Sequence, residues 1–378
     1  MYTAGYRCQP GAAGHNGECD SMERLGVGII GFHHLHSLDY LPHFDAIART
    51  EVRAVAESDP VCLERVCGQT GIDGYVDYNT LLSREDIGLV VILLPHAECP
   101  DAVERAASAG KHVIVEKPMA DTSEGIRRMI AATEGAGVTL SSPYCWRAHP
   151  AARRIKALVD RGILGRIVAL EGRCAAGSPL RYLENGISPW LNKKAVAGGG
   201  PMHNLGTHWI DLFRWFLKDE VRQATGMVSH LQHRLDIEDN SFGIVRFRNG
   251  ATATLDISYS VPKAFPAGRD LFIGLRGSLG TVSWSPAWGG TDDEVFVVSD
   301  HPDFADGPRT TLRIASEAAD GYGGVSGRVY LSETVNAILD GKPPCISGMD
   351  GLRAVEVVEA IYAAAESGRV VTVENCSA

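Results

Sequence analysis

The chain has 378 residues, 45% hydrophobic and 22% charged, which is too long for one ordinary domain and suits two with full cores. Its 36 basic and 46 acidic side chains leave a formal charge of −10, which argues against a nucleic-acid or anionic-membrane partner, and no apolar run approaches the roughly 20 residues that span a bilayer. Nine scattered cysteines with no CxxC pair fit reduced thiols in a cytoplasmic protein better than a disulfide framework.

Residues 1–24 are rich in glycine and polar side chains and lack the basic-then-apolar layout of a signal peptide. They are expected to form a flexible extension, with Met22 as an alternative start. From Leu25, short apolar runs alternate with helix-period stretches. "GVGIIG" and "EVRAVAE" predict the first two strands, with helices over residues 37–49 and 60–70. "IGLVVILLP", "KHVIVEKP" and "VTLSSP" predict three more strands, separated by helices over 101–109 and 123–135. Such alternation with fully apolar strands implies an α/β domain, a doubly wound parallel sheet covered on both faces, over residues 25–146.

After a helix in "HPAARRIKALVDRGILGRI" the pattern changes to longer strands: "IVALEGRC", "VRQATGMVSHL", "LFIGLRGSLGTVSW" and "EVFVV". "RFRNGATATL" carries Asn249-Gly250 between two alternating runs, a hairpin signal. Helical patterns return in "YLSETVNAIL" and "GLRAVEVVEAIYAAAES". Residues 147–378 therefore predict an α+β domain with a large, mainly antiparallel open sheet.

The first strand runs into "GFHHLHS", where a dinucleotide-binding turn would carry G-x-G-x-x-G. Gly31 supplies the glycine of the tight turn, while His33 and His36 stand where pyrophosphate approach and helix–strand packing favour small residues. The following helix start still offers free N–H groups to an anion, and a histidine there can donate to it. Glu57, ending the second strand, is placed to bind both adenosine ribose hydroxyls and to repel a 2′-phosphate, so NAD is expected over NADP. A metal at His33, His34 and His36 is not expected, because no carboxylate or cysteine accompanies them in sequence.

Three segments together resemble one family. "AGKHVIVEKPMA" contains Glu116-Lys117-Pro118, "YCWRAHPA" contains Arg147 and Pro150, and "GGGPMHNLGTHWID" follows a glycine triplet with Asn204 and His208. The chain resembles the Gfo/Idh/MocA family (glucose–fructose oxidoreductase and inositol dehydrogenase) from Gly26 to Val373. The resemblance implies a Rossmann domain joined to an open-sheet domain that makes a homodimer or homotetramer. It also implies NAD(P)-dependent oxidation or reduction of a sugar, cyclitol or related polyol.

By resemblance, Lys117 lies beside the nicotinamide and hydrogen-bonds the reacting hydroxyl, with Glu116, Phe32, Leu94 and Pro95 also at the cofactor. His208, whose ordinary pKa lies near neutrality, is the natural acid/base. Asn204 is four residues earlier, on the same helical face, and stands where the family commonly has aspartate. Arg147 is expected to position substrate or carboxamide, and Tyr144, Trp146, Trp190 and His203 to reach the substrate, with core packing the alternative fate of the aromatics. The expected activity is hydride transfer between NAD and a secondary hydroxyl or ketone of a sugar, cyclitol or glycoside. The alternatives are a retained-NAD enzyme with no net redox change and a non-catalytic nucleotide-binding regulator.

Overall fold

The computed structural model describes residues 24–180, 188–262, 264–287, 292–315 and 317–373. Residues 1–23 of the expected extension therefore lie outside the described residues. The first sheet has strands β1 (Leu25–Ile30), β2 (Thr50–Ala56), β3 (Asp73–Tyr75), β4 (Leu89–Ile92), β5 (His112–Val115) and β6 (Leu140–Ser141). Their order is β3-β2-β1-β4-β5-β6 and every pairing is parallel. Between β1 and β4 the order reverses, which opens a crevice beyond the strand ends, the usual ligand position in such a sheet. Val27, Ile29, Val91 and Ile114 are 0% exposed, because helices cover both faces.

Helices α1 (Leu41–Ala46), α2 (Pro60–Thr70), α3 (Tyr78–Leu82), α4 (Cys99–Ser108) and α5 (Ser123–Ala136) connect these strands. The expected helix over 37–49 is shorter and broken. A 3-10 turn, Leu38–Tyr40, precedes α1, and Pro42 occupies the first turn of α1. Proline has no N–H to continue a helical ladder from the preceding turn, but it is well placed at a helix start. α2 is capped as its sequence dictates, by the Asp59 side chain at one end and left-handed Gly71 at the other.

Helix α6 (Pro150–Asp160) leads to β7 (Ile167–Ala176), then α7 (Lys194–Ala197) and α8 (Thr207–Leu217). Strands β8 (Val221–Ser229), β9 (Asn240–Phe247), β10 (Thr252–Ser258), β11 (Arg269–Gly277), β12 (Gly280–Trp284), β13 (Asp293–Ser299) and β14 (Arg309–Ile314) follow. Helices α9 (Gly324–Leu339) and α10 (Gly348–Ser367) and strand β15 (Val371–Thr372) complete the described chain. The nine-stranded sheet runs β14-β13-β12-β11-β7-β10-β9-β8-β15. It is mainly antiparallel, with β7 and β10 the parallel pair. The hairpin at Asn249-Gly250 forms as read, with Gly250 at φ 92°.

One face of this sheet packs on helices; the other leaves Met227, Phe242, Ile244 and Phe296 between 45% and 76% exposed. The two halves share their cores. Leu352 and Val355 of α10 belong to the cluster that contains Val90, Val113 and Ile126. Glu359 of the same helix accepts from the Ser123 N–H at 2.7 Å and from its hydroxyl at 2.6 Å, and Glu356 accepts from Arg127 at 2.6 Å. No helix among the described residues is long and apolar enough to cross a membrane.

Candidate active site

Gly31 begins the turn after β1 with φ 93°, and a Cβ there would meet the Leu93 carbonyl oxygen at 2.7 Å and the Leu94 side chain at 3.1 Å. Only glycine fits that backbone and that spacing. Glu57 is buried and grips the turn: one oxygen accepts from the Phe32 N–H at 2.6 Å and the other from the Asp59 N–H at 2.9 Å. The carboxylate thus stays at the end of β2, beside the crevice, with Asp59 adding a second negative group. This cradle fits the adenosine end of NAD and opposes a 2′-phosphate.

The histidines after Gly31 diverge. His33 is partly exposed, with its Nε2 3.3 Å from Asp59 Oδ2. One of its ring nitrogens, a Glu57 oxygen and Cys62 Sγ lie within 4.8 Å of one another, so a carboxylate and a cysteine do accompany it in space. Those groups have other partners: Glu57 holds two backbone N–H groups, and Arg65 donates to Cys62 Sγ at 3.3 Å. An arginine at that sulfur opposes a cation. His34 points inward instead and lines the main cavity; burial, then His36, pushes it down to about 3. His36 lines the same cavity, stacked on Tyr322 at 4.1 Å with its Nδ1 3.6 Å from Glu116. Glu116 is buried and accepts from the hydroxyls of Tyr40 and Tyr322. Glu116 is not among the residues that line the main cavity. Leu94 and Pro95 close the end of β4, Leu94 directly beneath Gly31.

Lys117 follows β5 across a cis peptide to Pro118. Its Nζ donates to the Asn204 carbonyl at 3.2 Å and to Asn204 Oδ1 at 3.1 Å. Asn204 Nδ2 in turn donates to the Tyr259 hydroxyl at 2.9 Å. Asn204 lies on a π-helical turn, Met202–Gly206, and His208 on α8 just beyond it. Asn204 thus partners Lys117, a pairing that the spacing of four to His208 does not predict. His208 lines the cavity, and its buried Nδ1 has no hydrogen-bond partner among the described residues. Burial, then the charges of Lys117, His36 and Arg269, hold His208 well below its ordinary pKa. It is therefore an uncharged imidazole near neutral pH, and a weaker base than a free one.

The glycine triplet launches this turn. A Cβ on Gly199 would strike the Tyr362 hydroxyl at 2.3 Å, and one on Gly200 the Glu238 carbonyl at 2.3 Å. Buried Glu238 accepts from the Gly200 N–H at 2.9 Å and from Tyr362 at 2.6 Å. The sequence reading missed Glu238, which is distant in the chain and bears no motif.

Four expected substrate residues do not line the cavity. Tyr144 is fully buried, edge-on to His208 at 5.9 Å, so it backs the imidazole. Arg147 is 10% exposed and pairs with Asp211 (Nε to Oδ2, 2.8 Å) and with Asp350 at 2.7 Å. Burial lifts Asp211 to about 6, with Arg147 opposing that rise. Arg147 is thus a buried ion partner between elements. Trp190 donates its indole N–H to the His33 carbonyl at 2.9 Å, as does the Ser188 hydroxyl at 3.1 Å. His203 is buried against the Ala120 carbonyl at 3.0 Å, and burial takes it down to about 4. Trp146 does line the cavity, joined there by His149, Trp209, Arg269 and Tyr322.

Comparison with known proteins agrees with this geometry. Residues 25–144 match the family described as "Oxidoreductase family, NAD-binding Rossmann fold", and residues 152–283 match "GFO/IDH/MocA C-terminal domain". A protein named D-apiose dehydrogenase from Paraburkholderia graminis is 27% identical over 365 residues, 94% of this chain and 90% of that one. The aldose-aldose oxidoreductase of Caulobacter crescentus, solved with glycerol, superposes with a TM-score of 0.76 at 26% identity, covering 92% of this chain and 99% of that one. GenD2 from gentamicin A biosynthesis, solved with NAD, gives 0.77 at 26% identity, covering 96% and 100%.

Proposed function

The chain belongs to the Gfo/Idh/MocA oxidoreductase family, and from that membership we propose that it moves a hydride between NAD and a secondary hydroxyl or ketone of a sugar, cyclitol or glycoside. The observation that carries this reading is one cavity wall bearing both Lys117, fixed by two bonds to Asn204, and the neutral His208. Bound NAD supplies the nicotinamide carbon that exchanges the hydride. Gly31 admits the dinucleotide close to the backbone, and Glu57 takes its ribose. Lys117 donates to the substrate oxygen as alkoxide character develops, and His208, on the same wall, takes the hydroxyl proton. Asn204 keeps Lys117 aimed, and Tyr259 keeps Asn204 aimed.

The test is NADH formation from a panel of sugars, cyclitols and glycosides by the purified protein. Production with at least one class supports the reading. Absence across the panel in both directions, with NAD bound, defeats it.

A second reading, NAD retained through a reaction with no net redox change, has one observation in its favour. Ser188 and Trp190, from the second half of the chain, both hold the His33 carbonyl of the dinucleotide turn. A tether of that kind slows opening of the crevice. The relative named an aldose-aldose oxidoreductase is consistent with it. Cofactor that co-purifies and survives dialysis would favour this reading over exchange.

The uncovered sheet face with Met227, Phe242, Ile244 and Phe296 favours a homodimer or homotetramer, since apolar patches of this kind mark association surfaces. Native mass spectrometry reads the subunit count directly.

A further inference from the structure

Two acceptors meet the Lys117 ammonium from one residue, the Asn204 carbonyl and Asn204 Oδ1, so whatever fixes Asn204 helps set the direction of that donor. Traced outward, the backbone and the side chain of Asn204 lead to neighbouring residues of one segment. The Asn204 N–H donates to the Gly200 carbonyl at 2.9 Å, and the Gly200 N–H donates to Glu238 Oε2 at 2.9 Å. The Asn204 amide donates to the Tyr259 hydroxyl at 2.9 Å, and the Tyr259 N–H donates to the Asp239 carbonyl at 2.9 Å. Both routes end between β8 and β9.

That segment is itself held firmly. Asp239 is buried, and its carboxylate accepts from the N–H groups of Leu231, Gln232 and His233 at 3.0, 2.6 and 2.7 Å. Ile237, on the other side of Glu238, is buried in the cluster that contains Trp190 and Tyr259.

Glu238 gathers most of the turn. Besides Oε2 on Gly200, its Oε1 accepts from the Tyr362 hydroxyl at 2.6 Å, the Ser241 hydroxyl at 3.1 Å and the Met202 N–H at 3.4 Å. The Tyr362 hydroxyl accepts in turn from the His203 N–H. Three backbone donors within four residues of Asn204 therefore end on this carboxylate, one of them through a phenol. The groups that donate to Glu238 directly are all neutral. A buried carboxylate with only neutral partners is costly to fold, and a carboxamide of the same shape would avoid that cost. A carboxamide, however, brings a donor of its own. Turned one way, its NH2 faces the Gly200 N–H. Turned the other way, it faces the Tyr362 hydroxyl, whose proton then loses its acceptor. Only the carboxylate suits both sides.

We propose that Glu238 is a positioning residue for hydride transfer: it holds the Met202–Gly206 turn and, through Asn204, aims Lys117. It does not line the cavity, so it acts without meeting the substrate there. This rests on the reading of Lys117 as donor to the reacting oxygen.

The test compares Glu238→Gln, Lys117→Met and the double variant by steady-state kinetics on the best substrate of the panel. NAD dissociation constants and a crystal structure of NAD-bound Glu238→Gln accompany the rates. Glu238→Gln is expected to lower kcat by about ten- to a hundredfold, the scale of a group misplaced by about 1 Å. KM and NAD affinity are expected to stay within about threefold of wild type, since only a transition-state contact is lost. In the Lys117→Met background the same substitution is expected to cost less than about twofold, because no ammonium is left to aim. Tyr362→Phe, which cuts the link from Glu238 to His203, is expected to show the same pattern and serves should Glu238→Gln fail to fold. An undiminished kcat in the folded variant overturns the proposal, as does an equal loss with and without Lys117. A wild-type protein that transfers no hydride with any substrate sinks the reaction reading instead. The positioning claim is then read from the crystals: Asn204 Oδ1 drawn out of hydrogen-bond reach of Lys117 sustains it, and an unmoved contact overturns it.

Discussion

Asn204 holds Lys117 twice, through its backbone carbonyl at 3.2 Å and its side-chain oxygen at 3.1 Å. The contact joins the end of β5 to the turn before α8 and sets the ammonium group over the cavity. Lys117→Met removes the donor to the substrate oxygen while filling the same space. It is expected to keep the fold and NAD binding and to lower the rate by on the order of 10²-fold or more. Steady-state kinetics with a bound-nucleotide assay on the same preparation check this; near-normal turnover would falsify the role.

Asn204→Asp replaces a neutral acceptor with a charged one. The fold is expected to hold, because the Tyr259 hydroxyl can turn and donate to the new carboxylate. An adjacent negative charge favours the protonated amine, so the alkaline limb of the pH–rate profile is expected to move upward. An unmoved alkaline limb would mean that Lys117 ionisation does not govern the rate.

Glu57 has two duties, and substitution separates them. Glu57→Gln keeps an acceptor for the Phe32 N–H but removes the charge that opposes a 2′-phosphate. It is expected to relax the preference for NAD over NADP with little loss of stability. Glu57→Ser also strands that buried N–H, at a cost of about 1–3 kcal/mol, and is expected to weaken both nucleotides. Dissociation constants for NAD and NADP, measured beside melting temperatures, distinguish the two effects. A wild-type protein that prefers NADP removes the basis of the prediction.

Arg147 tests the boundary between site and scaffold. Arg147→Ala leaves Asp211 buried without its main partner, a change of about 3–5 kcal/mol in stability. The urea midpoint is therefore expected to fall sharply, while KM at a temperature where the variant remains folded moves little. A large KM change with an unaltered midpoint would return Arg147 to the substrate.

Acid lability follows from the buried histidines. His34 and His203 are held down to about 3 and about 4, and His96 and His208 lie well below the ordinary value, all chiefly by burial. Below pH ~6.5 the unfolded chain takes up protons that the folded chain refuses, so stability falls as pH drops from there toward the folded values. Each such histidine costs up to about 1.4 kcal/mol per pH unit. Melting temperature is expected to decline between pH 7 and pH 5, and His203→Gln to reduce the slope. A flat profile would show that these rings are protonated in the folded protein.

Much of the first sheet was legible because its strands are apolar on both faces and its helices carry local caps, as Asp59 and Gly71 do for α2. β14 escaped notice because "RTTLRI" alternates with its polar side chains in solvent and few apolar ones inward. Lys117, Asn204 and His208 could be found as motif residues, but their pairing could not. A helical spacing of four sets Asn204 beside His208 and does not predict the bond it makes from the π-turn to Lys117. Arg147 was misread because both of its partners, Asp211 and Asp350, come from distant elements. Similarly, nothing local distinguishes buried His34 from partly exposed His33; Ser188 and Trp190 hold the backbone between them.

Leu352 and Val355 of α10 sit in the same core as the strands that begin the chain, and this has a consequence during synthesis. The nucleotide-binding half is threaded out of the ribosome long before the helix that finishes its apolar surface. Until Gly348–Ser367 emerges, the groove around Val90, Val113 and Ile126 has no lid, and Ser123 and Arg127 lack their carboxylate partners. The nascent protein must therefore wait, exposed, for its own far end, and a message truncated before α10 yields a chain destined for chaperones or proteases.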